Sequence, residues 1–341
     1  PIHQTAETLA VPSSSDRNHY DRYWFNGFSE EKDFLFEIGV GFYPNRHIMD
    51  AHFSISTAGK QYSYHASTRM NPARYPINIG PISLEILEPM QKIRFSLKDP
   101  EKKLSCDLIF NAITEPHLEP KSLMIEGTRK ILETSRFTQF GKWDGSIETE
   151  SGNLDLTKEY GTRDKSWGVR PVGEPEIGAP GKLNAEPGVY WCWIPINFGD
   201  TFTHFGTFED HDGNSTQLSA DLVEISNNEV IKPLNNISHK VDWIKGTRWS
   251  SGAQISAQEG DKKIEINAKA CGPRFHCKGI GYQHPEWGHG FWKGEEAVGY
   301  EVWDLNEINP EDYSFFHIHQ IIKATMNDLS LIHISEPTRP R

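Results

Sequence analysis

The segment GTRDKSWGVRP, Gly161 to Pro171, sets Arg163, Asp164, Trp167 and Arg170 within one short stretch bounded by Gly and Pro. Two chemistries fit it. Asp164 can pair with Arg163 or Arg170 and simply hold a turn. Alternatively it can lie at a cavity mouth against Trp167, where an apolar wall raises a carboxyl pKa and leaves a protonated acid available. An adjacent arginine works the other way, so the residue types leave the net direction open.

Three further segments carry candidate side chains. In VYWCWIPINFGDTFTHFGTFED (Val189–Asp210), Tyr190, Cys192 and Ile194 alternate against Trp191, Trp193 and Pro195. Both sets are apolar or aromatic, which predicts a strand covered on both faces. His204 and Asp200 with these aromatic walls suit a pocket for an apolar ligand, although a lone strand histidine more often serves as a hydrogen-bonded core residue. In GIGYQHPEWGHGFW (Gly279–Trp292), Gly and Pro mark a turn that carries His284, Glu286, Trp287, His289 and Trp292. Its histidines could join Glu286 on a metal, but the spacing has no standard geometry. A packed aromatic corner and a polar cluster at a cavity mouth are the other readings. In FFHIHQ (Phe315–Gln320), His317 and His319 project from one strand face, as a metal pair or as the lining of a polar interior or solvent face. No metal is expected.

Other chemistries are excluded by pattern. There is no GxxxxGK[ST] loop, GxSxG elbow, HExxH or Cys/His zinc spacing, and Gly279-Ile280-Gly281 lacks a third glycine. The chain has 35 Lys+Arg against 47 Asp+Glu, a net charge of −12, which argues against nucleic acid as a partner. No run approaches the roughly 20 apolar residues of a membrane helix. Cys106, Cys192, Cys271 and Cys277 lack CxxC spacing and read as reduced thiols.

The elements that must position these residues read as strands. Period-two alternation dominates in HFSIS (His52–Ser56), QKIRFSLK (Gln91–Lys98), KLSCDLIF (Lys103–Phe110) and KKIEINAKA (Lys262–Ala270). Ala58-Gly59, Asp144-Gly145, Asp212-Gly213 and Gly260-Asp261 are expected turns. Capped helical patterns are nearly absent, so the expected class is all-β. The expected organisation is a flexible N-terminal segment over residues 1–19, a first β domain over 20–150 and a second over 151–328. The Pro/Gly-rich loop 169–188 is a candidate rim or lid. The tail LSLIHISEPTRPR (Leu329–Arg341) looks like a translated sequencing adapter and is set aside as an artefact. No signal-peptide pattern follows Pro1, which favours a soluble, cytoplasmic protein while leaving the compartment and oligomeric state open.

The RDxSWGxR loop and the GxGYxHPEWGHGxWxG segment resemble the superfamily of AttH-like proteins and carotenoid 1,2-hydratases (hydroxyneurosporene synthases), near its uncharacterised bacterial branches. YWFNGF (Tyr23–Phe28) and the Trp191–Trp193 strand support the resemblance, which spans about Tyr20 to Asp328. It implies two lipocalin-like antiparallel β-barrel domains packed together, a hydrophobic ligand held in the barrels, and no metal or organic cofactor. It also implies enzymes that protonate an isoprenoid alkene, the cation then being captured by water (a hydratase) or by another alkene (a cyclase). Asp164 matches the motif aspartate, whereas Lys165 stands where histidine is common. Asp164 is therefore the first candidate acid and Asp200 the second. His204 or His284 would orient a water or take the final proton. Arg163, Trp167, Trp191, Trp193, Trp287, His289, Trp292 and His317 would contact the ligand. Two alternatives remain: a non-catalytic carrier of an apolar ligand, and a sugar-active protein using Asp200 with Glu209.

Overall fold

The computed structural model describes residues 11–73, 75–101, 103–173, 190–210, 212–224, 230–327 and 329–338, the last stretch by its backbone. Most of the expected lid, 169–188, lies outside the described residues. The strands are, in order, β1 (His19–Ser29), β2 (Phe34–Tyr43), β3 (Ile48–Thr57), β4 (Lys60–Arg69), β5 (Ile77–Ile79), β6 (Ile82–Glu88), β7 (Lys92–Lys98), β8 (Leu104–Ala112), β9 (His117–Leu118), β10 (Ser122–Glu126), β11 (Arg129–Thr149) and β12 (Gly152–Val169). They continue with β13 (Tyr190–Asn197), β14 (Thr201–Glu209), β15 (Ser215–Glu224), β16 (Val230–Pro233), β17 (Asn235–Trp243), β18 (Ser250–Glu259), β19 (Lys262–His276), β20 (Glu296–Asp304), β21 (Ile318–Met326) and β22 (Leu329–Thr338). Among the described residues the only helical elements are three short 3₁₀ turns. None is long and apolar enough to cross a membrane.

All pairings are antiparallel. The first sheet runs β20-β4-β3-β2-β1-β12-β11-β8-β7-β6-β5, with β9 and β10 on β11. It curls into a nearly closed barrel around Phe25, Phe36, Phe53, Phe95, Phe110 and Trp143, all fully buried. These rings fill the interior, as side chains do in small barrels. The second sheet runs β16-β15-β14-β13-β22-β21-β19-β18-β17 around Cys192, Ile194, Phe205, Ile255, Ile266 and Ile322. A third apolar cluster joins Trp24, Phe28 and Leu35 of the first sheet to Trp193, Phe275 and Ile321 of the second.

The expected strands lie in β3, β7, β8 and β19, with three departures from simple alternation. The Asp144-Gly145 pair is not a turn but sits inside β11. The register shifts between Trp143 and Gly145 there, with Gly145 at φ +136°, so a bulge bends the strand without ending it. The chain instead reverses at Glu150-Ser151, between β11 and β12. β3 is buried on both faces, because the segment after β19 straps across its polar side. Gly279 lies there so close that a Cβ would sit 2.3 Å from Ser54 Oγ. Gln61 of β4 clasps the backbone of His276 through both its amide N–H (2.7 Å) and its carbonyl (2.8 Å). Finally, β20 returns to pair with β4 in the first sheet.

Candidate functional site

β1, β12 and β11 are neighbours, and their register decides what they present together. Trp24 lies opposite Asp164, which lies opposite Thr138; Arg22, Ser166 and Arg136 form the next row. Side chains of one row share a face. Tyr20 and Trp24, Asp164 and Ser166, and Thr134 and Arg136 therefore form a floor on the outside of the first barrel. Trp191 and Trp193 of β13, Phe208 of β14, Tyr282, Phe316, His317 and His319 form the opposite wall. Between them lies a cavity of about 260 Å³. The cavity thus lies between the two sheets and not inside the first barrel, whose interior the aromatic core occupies.

Glu119 anchors one side. Arg136 Nε donates to its Oε2 at 2.8 Å, Arg136 Nη2 contacts the same oxygen, and the Thr138 hydroxyl donates to Oε1. Trp193 Nε1 donates to His204 Nε2 at 2.6 Å, and that nitrogen is 3.1 Å from Glu119 Oε1. Burial alone would raise the Glu119 carboxyl, but Arg136 and His204 more than offset it and hold it below its ordinary value. The same Arg136 guanidinium sits 4.7 Å from the Trp191 ring centroid and 5.2 Å from that of Trp193. On the other side, Glu37 accepts from Trp24 Nε1 at 3.1 Å and pairs with His319.

Asp164 differs from these carboxylates. Its Oδ1 is enclosed and has no hydrogen-bond partner among the described residues. Burial pushes its carboxyl up to about 7, assisted by the Glu119 charge and opposed by Arg136, Arg22 and Arg170. The ambiguity left by the sequence therefore resolves in favour of burial.

The structure gathers some of the sequence candidates and disperses others. Asp164, Trp191, Trp193 and His317 line the cavity. His204 stands behind Trp193. Arg163 points the other way, over Tyr23, Phe25 and Phe137, with its Nη1 on Gln139 at 3.2 Å. Trp167 is exposed on that opposite face, and Lys165 pairs there with Asp21. Asp200 is exposed in the turn before β14. Glu209 ends β14, roughly 30 Å away at the usual strand rise, and pairs with His239. That separation is far beyond a glycosidase pair.

His284, Trp287 and His289 belong to a separate buried junction against β3, β4 and β20. His284 Nδ1 accepts from the backbone N–H of Glu286 and Trp287 at 3.0 and 2.9 Å, so its Nε2 carries the proton and donates to Glu301 at 2.8 Å. His65 stacks on Trp287 and meets His52 at 2.8 Å between their Nδ1 atoms. His289 Nε2 donates to the Ile280 carbonyl at 2.8 Å and its Nδ1 faces Arg170 Nη2 at 3.1 Å. Both nitrogens of His284 and of His289 are thus engaged, which does not suit a metal ligand. Trp292 lies on the surface under Arg69.

Sequence reasoning missed Glu37, Glu119, Arg136, Arg170 as a cavity residue, and Tyr282. Glu37 had a signal: it is the one charge in the apolar run FLFEIGVGFY, where an acid is tolerated only with partners. Glu119 and Arg136 had none, because their meeting depends on β9 and its flank folding onto β11.

No curated protein sequence matches the chain. Several solved structures share its fold. An AttH-like protein from Nitrosomonas europaea is 11% identical with a TM-score of 0.57, covering 97% of this chain and 99% of that one. Kievitone hydratase from Nectria haematococca is 10% identical with a TM-score of 0.54, covering 96% and 93%. CghA with Sch210972 is 6% identical with a TM-score of 0.53, covering 95% and 89%. The resemblance first carried by the two motifs therefore holds at the level of the AttH fold, with its lipocalin-like antiparallel barrels. Over residues 1–336 the chain belongs to DUF8625, a family of unknown function.

Proposed function

We propose that the inter-sheet cavity binds an apolar, isoprenoid- or lipid-like ligand and that Asp164 protonates one of its alkenes. One observation carries this reading: an enclosed carboxyl, without a hydrogen-bond partner on Oδ1, facing an aromatic-walled cavity. Alkene protonation needs an un-ionised acid in a water-poor site. The Asp164 proton forms the new C–H bond, and the π electrons leave a cation on the neighbouring carbon. The faces of Trp24, Trp191 and Trp193 stabilise that cation by quadrupole attraction. Water then forms a C–O bond and returns a proton to the Asp164 carboxylate; if a second alkene attacks instead, a ring closes and loss of a proton completes the cycle. Glu119 and Arg136 neutralise each other, and His204 positions Trp193 from behind. That kievitone hydratase shares the fold supports the hydration branch.

The test is incubation with linear polyprenyl and polyene substrates in H₂¹⁸O, followed by mass spectrometry, beside Asp164→Asn. The expected result is a product heavier by one labelled water, or an isomer at a new retention time, absent with the variant. Full turnover by a folded Asp164→Asn would remove Asp164 as the acid. Ligand bound but recovered unchanged by the wild type would favour a carrier.

A further inference from the structure

A buried guanidinium, Arg22, and a half-buried one, Arg170, flank Tyr282 at the end of the cavity away from Glu119. Arg22 lies 5.1 Å from the ring centroid and Arg170 5.7 Å. Arg170 also lies 4.5 Å from the Tyr20 ring. Among the described residues neither arginine has an ion pair. Arg22 reaches the Ile280 carbonyl at 2.9 Å through Nη2, and its Nε and Nη1 have no partner. Arg170 meets His289 Nδ1 and the Tyr282 side chain, and its Nε has no partner.

Among the described residues, three of the four nearby carboxyls are engaged elsewhere, and the fourth, Asp164, is held protonated by burial. Asp50 accepts from the Tyr43 hydroxyl at 3.2 Å and the Gly290 N–H at 2.8 Å. Glu119 is held by Arg136 and Thr138, and Glu37 by His319 and Trp24. Asp164 is the proton donor. Burying a cation without an anion costs several kcal/mol, and buried charges are normally paired. Of the two arginines, Arg170 is the one that lines the cavity.

We infer that the cavity takes ligands bearing a carboxylate-like oxyanion, which Arg170 receives while the apolar chain runs along the aromatic wall toward Asp164. This rests on the ligand-cavity reading above and narrows it from apolar molecules in general to isoprenoid or lipid-like acids. The planar fork of arginine suits two parallel contacts to a carboxylate.

The experiment compares farnesoic acid with methyl farnesoate at pH 6.0, where Asp164 keeps its proton, by tryptophan fluorescence and calorimetry, on the full chain. The acid is expected to bind about tenfold or more tightly than the ester, the range of a charge-assisted hydrogen bond. Arg170→Met should abolish the preference for the acid over the ester; Arg170→Lys should retain part of it. Equal binding of acid and ester by the wild type would overturn the inference and leave the ligand cavity standing. A preference that survives Arg170→Met would overturn the role of Arg170. Binding of neither ligand would remove both this inference and the cavity reading. The wild-type comparison needs no variant, so poor folding of Arg170→Met would not shield the inference.

Discussion

Asp164 and Glu119 face one cavity and are pushed in opposite directions, because Glu119 has Arg136 on its Oε2 and Asp164 has no ion partner among the described residues. With the Asp164 carboxyl at about 7 and only its protonated form active, turnover should fall as pH rises through about 7. Glu119 raises that pKa through its charge, so Glu119→Gln should move the limb to lower pH; a pH–rate profile of each protein reads this directly. The same variant leaves Arg136 without its anion and should cost about 2–4 kcal/mol of stability in a urea titration. Stability carries a further signature. A carboxyl held above its unfolded value of 3.8 keeps its proton in the fold and loses it on unfolding, so it destabilises the fold as pH rises from about 4 to 7. Asp164→Asn removes that penalty. At pH 8 the variant should therefore be more stable than the wild type, by on the order of 1–3 kcal/mol, with the difference gone near pH 4. A variant less stable at pH 8 would argue that Asp164 is ordinarily solvated.

At the scale of elements, the floor depends on three glycines in one row, Gly27 of β1, Gly161 of β12 and Gly141 of β11. Phe36, Trp143 and Phe110 lie directly over them. A Cβ on Gly161 would sit 2.4 Å from both the Asn26 carbonyl and Trp143 Nε1, and that indole donates to the Asn26 carbonyl at 2.7 Å. Gly161→Ala should therefore cost roughly 2 kcal/mol or more by overpacking. It should also lower turnover, because Asp164 follows three residues later on the same strand; urea unfolding and labelled-water assays would separate the two losses. The first half of this arrangement was legible: GTRDKSWGVRP pointed to Asp164, and the Trp191/Trp193 alternation put both indoles on one face opposite Cys192 and Ile194. What alternation cannot tell is which outer face meets another sheet. Tyr20, Trp24 and Arg136 looked like ordinary strand residues until β13 and the Tyr282 segment covered them. The HPEWGH motif stayed open between a metal site, a packed aromatic corner and a polar cluster at a cavity mouth, since the partners that satisfy its histidines, His52, His65 and Glu301, come from β3, β4 and β20.

For the molecule as a whole, that junction is expected to act as a pH-sensitive seam. Burial holds His52, His65, His276 and His289 below their ordinary value, His65 and His276 at about 3. His65 and His276 stay neutral in the fold down to about 3 and burial disfavours the charged form of the other two, whereas all four take a proton at about 6.5 once unfolded. The stability they contribute is thus fully present above 6.5 and is lost as pH falls, by up to about 1.4 kcal/mol per pH unit for each histidine. Asp164 acts with the opposite sign over much of the same window, but it is one group against four. The net expectation is a loss of several kcal/mol between pH 6.5 and 4.5, measured by urea titration at fixed ionic strength; a flat profile would contradict the seam. The loss should also be local before it is global. The histidines tie the segment between β19 and β20 to β3 and β4, and the same segment supplies Tyr282 and Gln283 to the cavity. Amide exchange near pH 5 should therefore rise first in residues 277–292 and in β20, while β7 and β8 around Phe95 and Phe110 stay protected. Ligand affinity should fall with it, because the cavity loses the Tyr282 side of its wall before either sheet loses its core.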